Sequence, residues 1–177
     1  YGLILDKELF KKLETNLEQL ISNNGISKLL NEIIVKCIQL KISIIEQDEN
    51  DNHIRNILNF GHTIGHALES YFNYQGLRHG EAVAYGMLYA TKLSNLYGNL
   101  LDEEANKINR IIQKLELPEL KNIEIEPILT FIRNDKKNIS NSLNFILLDK
   151  IGSATISKNI SYDNIKMVLT DYEHISC

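Results

Sequence analysis

"RNILNFGHTIGHALESYF", Arg55 to Phe72, sets two histidines four residues apart, each directly after a glycine. Apolar residues recur through the run at helical spacing, and the turn-rich "DENDN" at Asp48 to Asn52 comes just before it. A helix is therefore expected to begin near Asn52 and continue to about Tyr71. At ~100° per residue on such a helix, Arg55, Asn59, His62 and His66 fall within about 60° of arc, with Ile57, Phe60, Ile64 and Leu68 opposite. One face can pack, and the other carries groups able to do chemistry. Gly61 and Gly65 lie one turn apart on an intermediate side, where a missing side chain lets another backbone or a ligand come close. Two histidines at this spacing also fit a solvated polar face. Arg55 and Asn59 in the same stripe weigh toward a site.

Outward from that segment the pattern stays helical. Leu9, Leu13, Leu17, Leu20 and Ile21 form one periodic set, and Leu29, Leu30, Ile33, Ile34, Cys37, Ile38 and Leu40 form the next, both read as packed amphipathic helices. After the loop "NYQGLRHG", the stretch Glu81 to Tyr97 is apolar on nearly every side, as expected of a helix in the middle of a bundle, and Gly98 ends it. Further helices are expected from about Glu103 to Leu115, stopping before Pro118, and as a short element after Pro127. The strand signal comes late. "LNFILLDKIGSATIS" holds two β-rich runs around Asp149 to Gly152, a hairpin near residues 143–156. The fold class is mainly α, a multi-helix domain with one small hairpin.

Composition sets the outer bounds. The chain has 177 residues, 44% of them hydrophobic, and a formal charge of -4, an ordinary soluble globular make-up. Without a concentrated basic face, nucleic acid is not an expected partner. No apolar run approaches the ~20 residues of a membrane helix and the opening residues lack the zones of a secretory leader, so no membrane partner is expected and a cytoplasmic location is. Cys37 and Cys177 are far apart and lack CxxC spacing, so both are expected to be free thiols. Tyr1 stands where an initiator methionine is expected, so the chain is expected to be a fragment of a longer protein.

His79, in "RHGEAV" at the entrance to the buried helix, places an imidazole where it can reach across to the histidine helix and supply a second metal ligand. Neutral imidazoles and carboxylates are common zinc ligands, and a catalytic zinc keeps one position open. The spacing is not that of a zincin. Position 63 is Thr, so the HExxH glutamate that activates water in metalloproteases has no counterpart.

"LKISIIEQDENDNHIRNILNFGHTIGHALES" from Leu40, followed by "LRHGEAVAYGMLYA" from Leu77, closely resembles 3-dehydroquinate synthase. "RNDKKNISNSLNFILLDKIGSA" from Arg133 is similar to that family's distal substrate-binding segment. The ordered set RxxLNxGHTxGHAxE, HGEAVAxGM and DKK is far more specific than any of its parts. The resemblance implies an enzyme of the shikimate pathway that converts the seven-carbon sugar phosphate DAHP to 3-dehydroquinate and phosphate. Its implied cofactors are NAD and a divalent metal, zinc or alternatively cobalt. It further implies that residues 1–177 are the helical C-terminal metal- and substrate-binding domain, that an NAD-binding α/β domain precedes it in the enzyme, and that the full-length protein is a homodimer.

Residue by residue, the resemblance makes His62 and His79 metal ligands and His66 the histidine that transfers a proton near the substrate phosphate. Lys41, Arg55, Asn59 and Lys136 match substrate-binding positions. Lysine and arginine suit such a substrate, because both hold carboxylate and phosphate oxygens and arginine's fork takes two at once. Asp51 stands where the family has a glutamate general base, one methylene shorter in reach. The family's third metal ligand, a glutamate in an AEVIK-like segment whose lysine also binds substrate, is expected immediately upstream of Tyr1. No cofactor-binding glycine-rich turn is found in these 177 residues, and the fragment alone is expected to be inactive. Three other readings stay open: a related sugar-phosphate cyclase, a metal-dependent alcohol or glycerol dehydrogenase-like domain, and a non-enzymatic helical interaction module.

Overall fold

A computed structural model describes residues 1–22, 27–50, 54–121, 123–137 and 144–171, with only the backbone at 135–137. Among them the order is α1 (Lys7–Ser22), α2 (Lys28–Gln47), a 3-10 helix (Ile54–Asn59), α3 (His62–Tyr71), α4 (His79–Tyr97), α5 (Asp102–Gln113), α6 (Ile125–Lys137), β1 (Phe145–Lys150), β2 (Ser153–Ser157) and α7 (Tyr162–Asp171). The mainly helical class with one antiparallel hairpin is as expected from the sequence.

α4 is the axis of the molecule. It packs against α3, α5, β1 and α7, and its residues from Ala82 to Ser94 are buried almost all the way round. A helix so enclosed cannot have a polar face, and its sequence reads accordingly. The buried Ser94 ties it to the hairpin: its hydroxyl donates to the Ala90 carbonyl at 2.6 Å and accepts the Leu148 N–H at 2.9 Å. That contact satisfies a strand-edge amide that would otherwise be buried without a partner. At the hairpin turn Gly152 adopts φ +86°, and its N–H reaches the Leu3 carbonyl at 2.7 Å, joining the turn to the first residues of the chain.

The segment quoted first is not one helix. A 3-10 turn covers Ile54–Asn59, the chain bends at Phe60, and α3 starts afresh at His62 after Gly61 in the left-handed region at φ +80°. The cause is the approach of α4. A Cβ on Gly86 would lie 1.9 Å from the Gly61 carbonyl oxygen, and one on Gly61 would lie 2.7 Å from the Met87 nitrogen. Three glycines, Gly61, Gly65 and Gly86, let the two backbones touch, and the first takes a conformation that other residues resist. The apolar side survives the break, since Ile57, Phe60, Ile64 and Leu68 are all buried.

Other boundaries shift for local reasons. α4 begins at His79 rather than Glu81, with Glu81 accepting the Arg78 N–H at 2.8 Å. α6 begins two residues before Pro127 instead of after it, because a proline in the first turn forfeits an amide that has no helical partner. α7 follows the hairpin where no helix is expected from sequence. Its signal is there, however: Ser161 and Asn164 cap each other, and Ile165, Val168 and Leu169 are fully buried at helical spacing. α2 departs most from expectation. Ile33 is buried, but Ile34 and Ile38 from the same predicted face are exposed. Among the described cysteines Cys37 is a free thiol, as expected; Cys177 lies outside the described residues.

Candidate metal and substrate site

The break at Gly61 puts His62 at the first position of α3, with His66 one turn on, and α4 brings His79 to them at its own first position. The three rings form a triangle with centroid separations of 5.4, 5.6 and 5.8 Å. One nitrogen from each lies within 4.8 Å of the others. Two metal–imidazole bonds span about 4 Å, so small rotations of the rings would close them on one ion. Borderline nitrogen donors of this kind suit zinc or cobalt better than magnesium or calcium.

Two of the rings have one nitrogen engaged. His62 Nδ1 lies 3.3 Å from the Phe60 carbonyl, and His79 Nδ1 lies 3.2 Å from both carboxylate oxygens of Glu69. An Nδ1–H donating to each acceptor leaves the Nε2 lone pair for a metal. Burial is the main cause lowering the His62 pKa below the ordinary imidazole value. The Phe60 carbonyl opposes it, while His66 and His79 add to the lowering. A ligand imidazole must be neutral, and this environment favours that form.

On one side of the triangle, Lys41, Arg55, Asn59 and His62 line a cavity of about 360 Å³ together with Tyr1 and Met87. Arg55 is held by the end of α2, its backbone N–H donating to Asp48 Oδ2 at 3.0 Å and its Nη1 to the Glu49 carbonyl at 3.2 Å. On the other side, His66 and Glu69 line a second cavity of about 250 Å³ with Thr63, Tyr74 and Phe131. Arg55, Asn59, His62 and His66 therefore do not share one helical stripe. Because the helix breaks, the first three face one cavity and His66 faces the other. Lys136 lies on α6, which packs on α3, but its side chain is outside the described residues, as is Asp51 entirely. Glu69 and Asp48 were not singled out from the sequence. Glu69 was findable there, three residues after His66 on the same helix.

The family model described as the 3-dehydroquinate synthase C-terminal domain matches residues 1–138. The 3-dehydroquinate synthase of Thermodesulfovibrio yellowstonii is 36% identical over 173 residues, covering 97% of this chain and 48% of the relative. That of Clostridium acetobutylicum is 40% identical over 167 residues, covering 94% and 46%. The chain spans about half the length of the curated relatives it matches. Among solved structures, 2-epi-5-epi-valiolone synthase from Streptomyces hygroscopicus, with NAD+ and Zn2+ bound, superposes with a TM-score of 0.85 at 21% identity over 96% of this chain and 47% of its own. 2-Deoxy-scyllo-inosose synthase, complexed with carbaglucose-6-phosphate, NAD+ and Co2+, does so with a TM-score of 0.74 at 25% identity over 96% and 48%. The matched motifs, the fold and the histidine triangle agree, and the chain belongs to the 3-dehydroquinate synthase C-terminal domain family.

Proposed function

We propose that this chain is the metal- and substrate-binding half of a 3-dehydroquinate synthase, which turns DAHP into 3-dehydroquinate and phosphate. The observation that carries the reading is the gathering of Lys41, Arg55, Asn59 and His62 around one cavity at the edge of the histidine triangle. A substrate with a carboxylate at one end and a phosphate at the other needs fixed cations and hydrogen-bond donors.

His62 and His79 are the residues to hold the divalent metal, with a carboxylate from the remainder of the enzyme completing its shell. When bound, NAD supplies removal and return of a hydride, and the metal supplies stabilisation of charge on a substrate oxygen. Arg55 and Lys41 orient the anionic substrate, Asn59 hydrogen-bonds it, and Lys136 is a further substrate-binding lysine by its match to the family motif. His66, turned toward the second cavity, moves the proton at the phosphate end. Asp51 is the carboxylate of the general-base position. The nucleotide comes from an α/β domain elsewhere in the enzyme, which works as a homodimer in the cytoplasm; among the described residues no helix is long and apolar enough to cross a membrane.

A related sugar-phosphate cyclase would share this site, and the greater identity to curated 3-dehydroquinate synthases favours the reading given. An alcohol or glycerol dehydrogenase has no need of Lys41 and Arg55 in the same cavity. The test is phosphate release from DAHP with NAD and zinc by the full-length enzyme, together with complementation of a strain lacking 3-dehydroquinate synthase. Release and growth are expected. Turnover of another sugar phosphate without turnover of DAHP would overturn the assignment, and the 177 residues alone should release none, because chemistry without a positioned nicotinamide loses many orders of magnitude in rate.

A further inference from the structure

Glu69 is a buried carboxylate on α3, its side chain 10% exposed, facing an imidazole at the start of α4 that is 59% exposed. Both of its oxygens lie 3.2 Å from His79 Nδ1. Its carbonyl accepts the Tyr74 N–H at 2.8 Å, in a turn where Asn73 and Tyr74 both have positive φ. The residue therefore anchors the loop that delivers His79 and also grips the ring that the loop delivers.

We propose that Glu69 is the positioning residue of the metal site. Its carboxylate accepts the His79 Nδ1–H, fixes the ring's tautomer and rotation, and leaves Nε2 as the ligand atom beside His62. The inference rests on the metal-site reading above. The physical case is specific. A carboxylate taken out of water needs a donor, and among the described residues the imidazole N–H is the one within reach. A mobile, exposed histidine ligand loses affinity to rotamer and tautomer freedom, and a fixed acceptor behind it removes both. Glu69 also lies beside His66 in the second cavity, so the same carboxylate borders the proposed proton-transfer group without being bonded to it in the structure.

The experiment compares Glu69→Gln and Glu69→Leu with the native sequence, all in the full-length enzyme, using His62→Ala and His79→Ala as references. The first readout is the His79 tautomer in the metal-free chain, from two-bond nitrogen–proton correlations near pH ~8, above the ordinary imidazole range. The native chain should show the proton on Nδ1, and Glu69→Leu should shift it to Nε2. The second is affinity for Zn2+ by chelator competition, with folding of each variant checked by circular dichroism and melting. Glu69→Leu should weaken zinc roughly 10- to 100-fold, and Glu69→Gln by less, since the amide oxygen can still accept the bond without its charge. If Glu69→Leu fails to fold, the isosteric Glu69→Gln decides. Zinc binding lost in His62→Ala and His79→Ala but unchanged in a folded Glu69 variant that keeps the Nδ1 proton would sink the role of Glu69 alone. A full-length native enzyme that binds no zinc, or loses none on His79→Ala, would overturn the metal-site reading and this inference with it.

Discussion

α4 and α2 are nearly equal in length, 19 and 20 residues, and both are rich in apolar side chains, yet they end in opposite environments. α4 is enclosed along most of its length by α3, α5, β1 and α7. α2 buries Ile33 and Ile44 and turns Ile34, Val35, Ile38 and Ile42 outward at 44, 53, 51 and 48% exposure. Its link to α1 and to Asp6 just before it is in part ionic, through Lys12–Glu32 at 2.7 Å and Lys36–Asp6 at 3.0 Å, and an exposed pair such as the first contributes about 0–1 kcal/mol. The difference teaches that apolar periodicity announces a helix without saying which of its faces the chain itself will cover. Where glycines allow backbone contact, as between α3 and α4, the enclosure is complete and a site can be held rigidly.

The sharpest way to break that contrast is at the glycine contact. Gly86→Val should abolish folding and Gly86→Ala should cost more than about 3 kcal/mol in urea unfolding, beyond ordinary overpacking, because the new carbon would sit 1.9 Å from the Gly61 carbonyl oxygen. Gly80, whose Cβ would meet nothing within 4 Å, is the matched control in the same helix, and Gly80→Ala should leave stability unchanged or slightly raised. Equal effects at the two positions would mean that the glycine contact does not hold the pair together.

Core truncation comes next. Leu93→Ala on α4 should cost about 2–5 kcal/mol through lost burial and a residual cavity, while Ile38→Ala on α2 should stay within ~0.5 kcal/mol. A large loss at Ile38 would show that the α2 face is covered in solution.

The metal site gives a smaller effect. His62→Ala should lower zinc affinity at least roughly tenfold, whereas His66→Ala should spare the metal and slow turnover of the full-length enzyme, as measured by metal content and phosphate release. If both lose zinc alike, the triangle binds through three imidazoles.

Smallest of all is the pH response of the metal-free chain. The His62 pKa is lowered in the folded state, chiefly by burial, so the unfolded chain binds the proton more readily. Stability should therefore be intact above the unfolded value near 6.5 and decline as pH falls from there toward the lower folded value. His62→Gln should flatten that part of the stability–pH curve, and an unchanged slope would show that His62 does not contribute to it.

Much of this molecule was legible in its residues. The all-round apolar run after Glu81, the stop at Gly98 and the paired β runs about Gly152 each carry a local signal strong enough to name the element. The four-residue spacing in "GHTIGH" and the distal His79 were enough to bring three imidazoles under suspicion, and the structure brings them together. α7 was missed although its cap and apolar spacing are present, since a short helix after a hairpin competes with a loop of similar composition. Glu69 was missed because a glutamate on a helix is usually solvated, and only its burial against His79 shows otherwise.

The sequence by itself determined the helical class, the central place of α4, the hairpin and the residue types of the site, because periodicity, caps and ligand chemistry are properties of neighbours along the chain. Tertiary structure decided the rest. Nothing local in "NFGHT" forbids one continuous helix; the approach of Gly86 puts Gly61 into the left-handed region, splits the helix, and sends Arg55, Asn59 and His62 to one cavity and His66 to another. Likewise nothing local distinguishes Ile33 from Ile38. Which isoleucine is buried depends on what packs across from it, and periodicity along the chain does not carry that information.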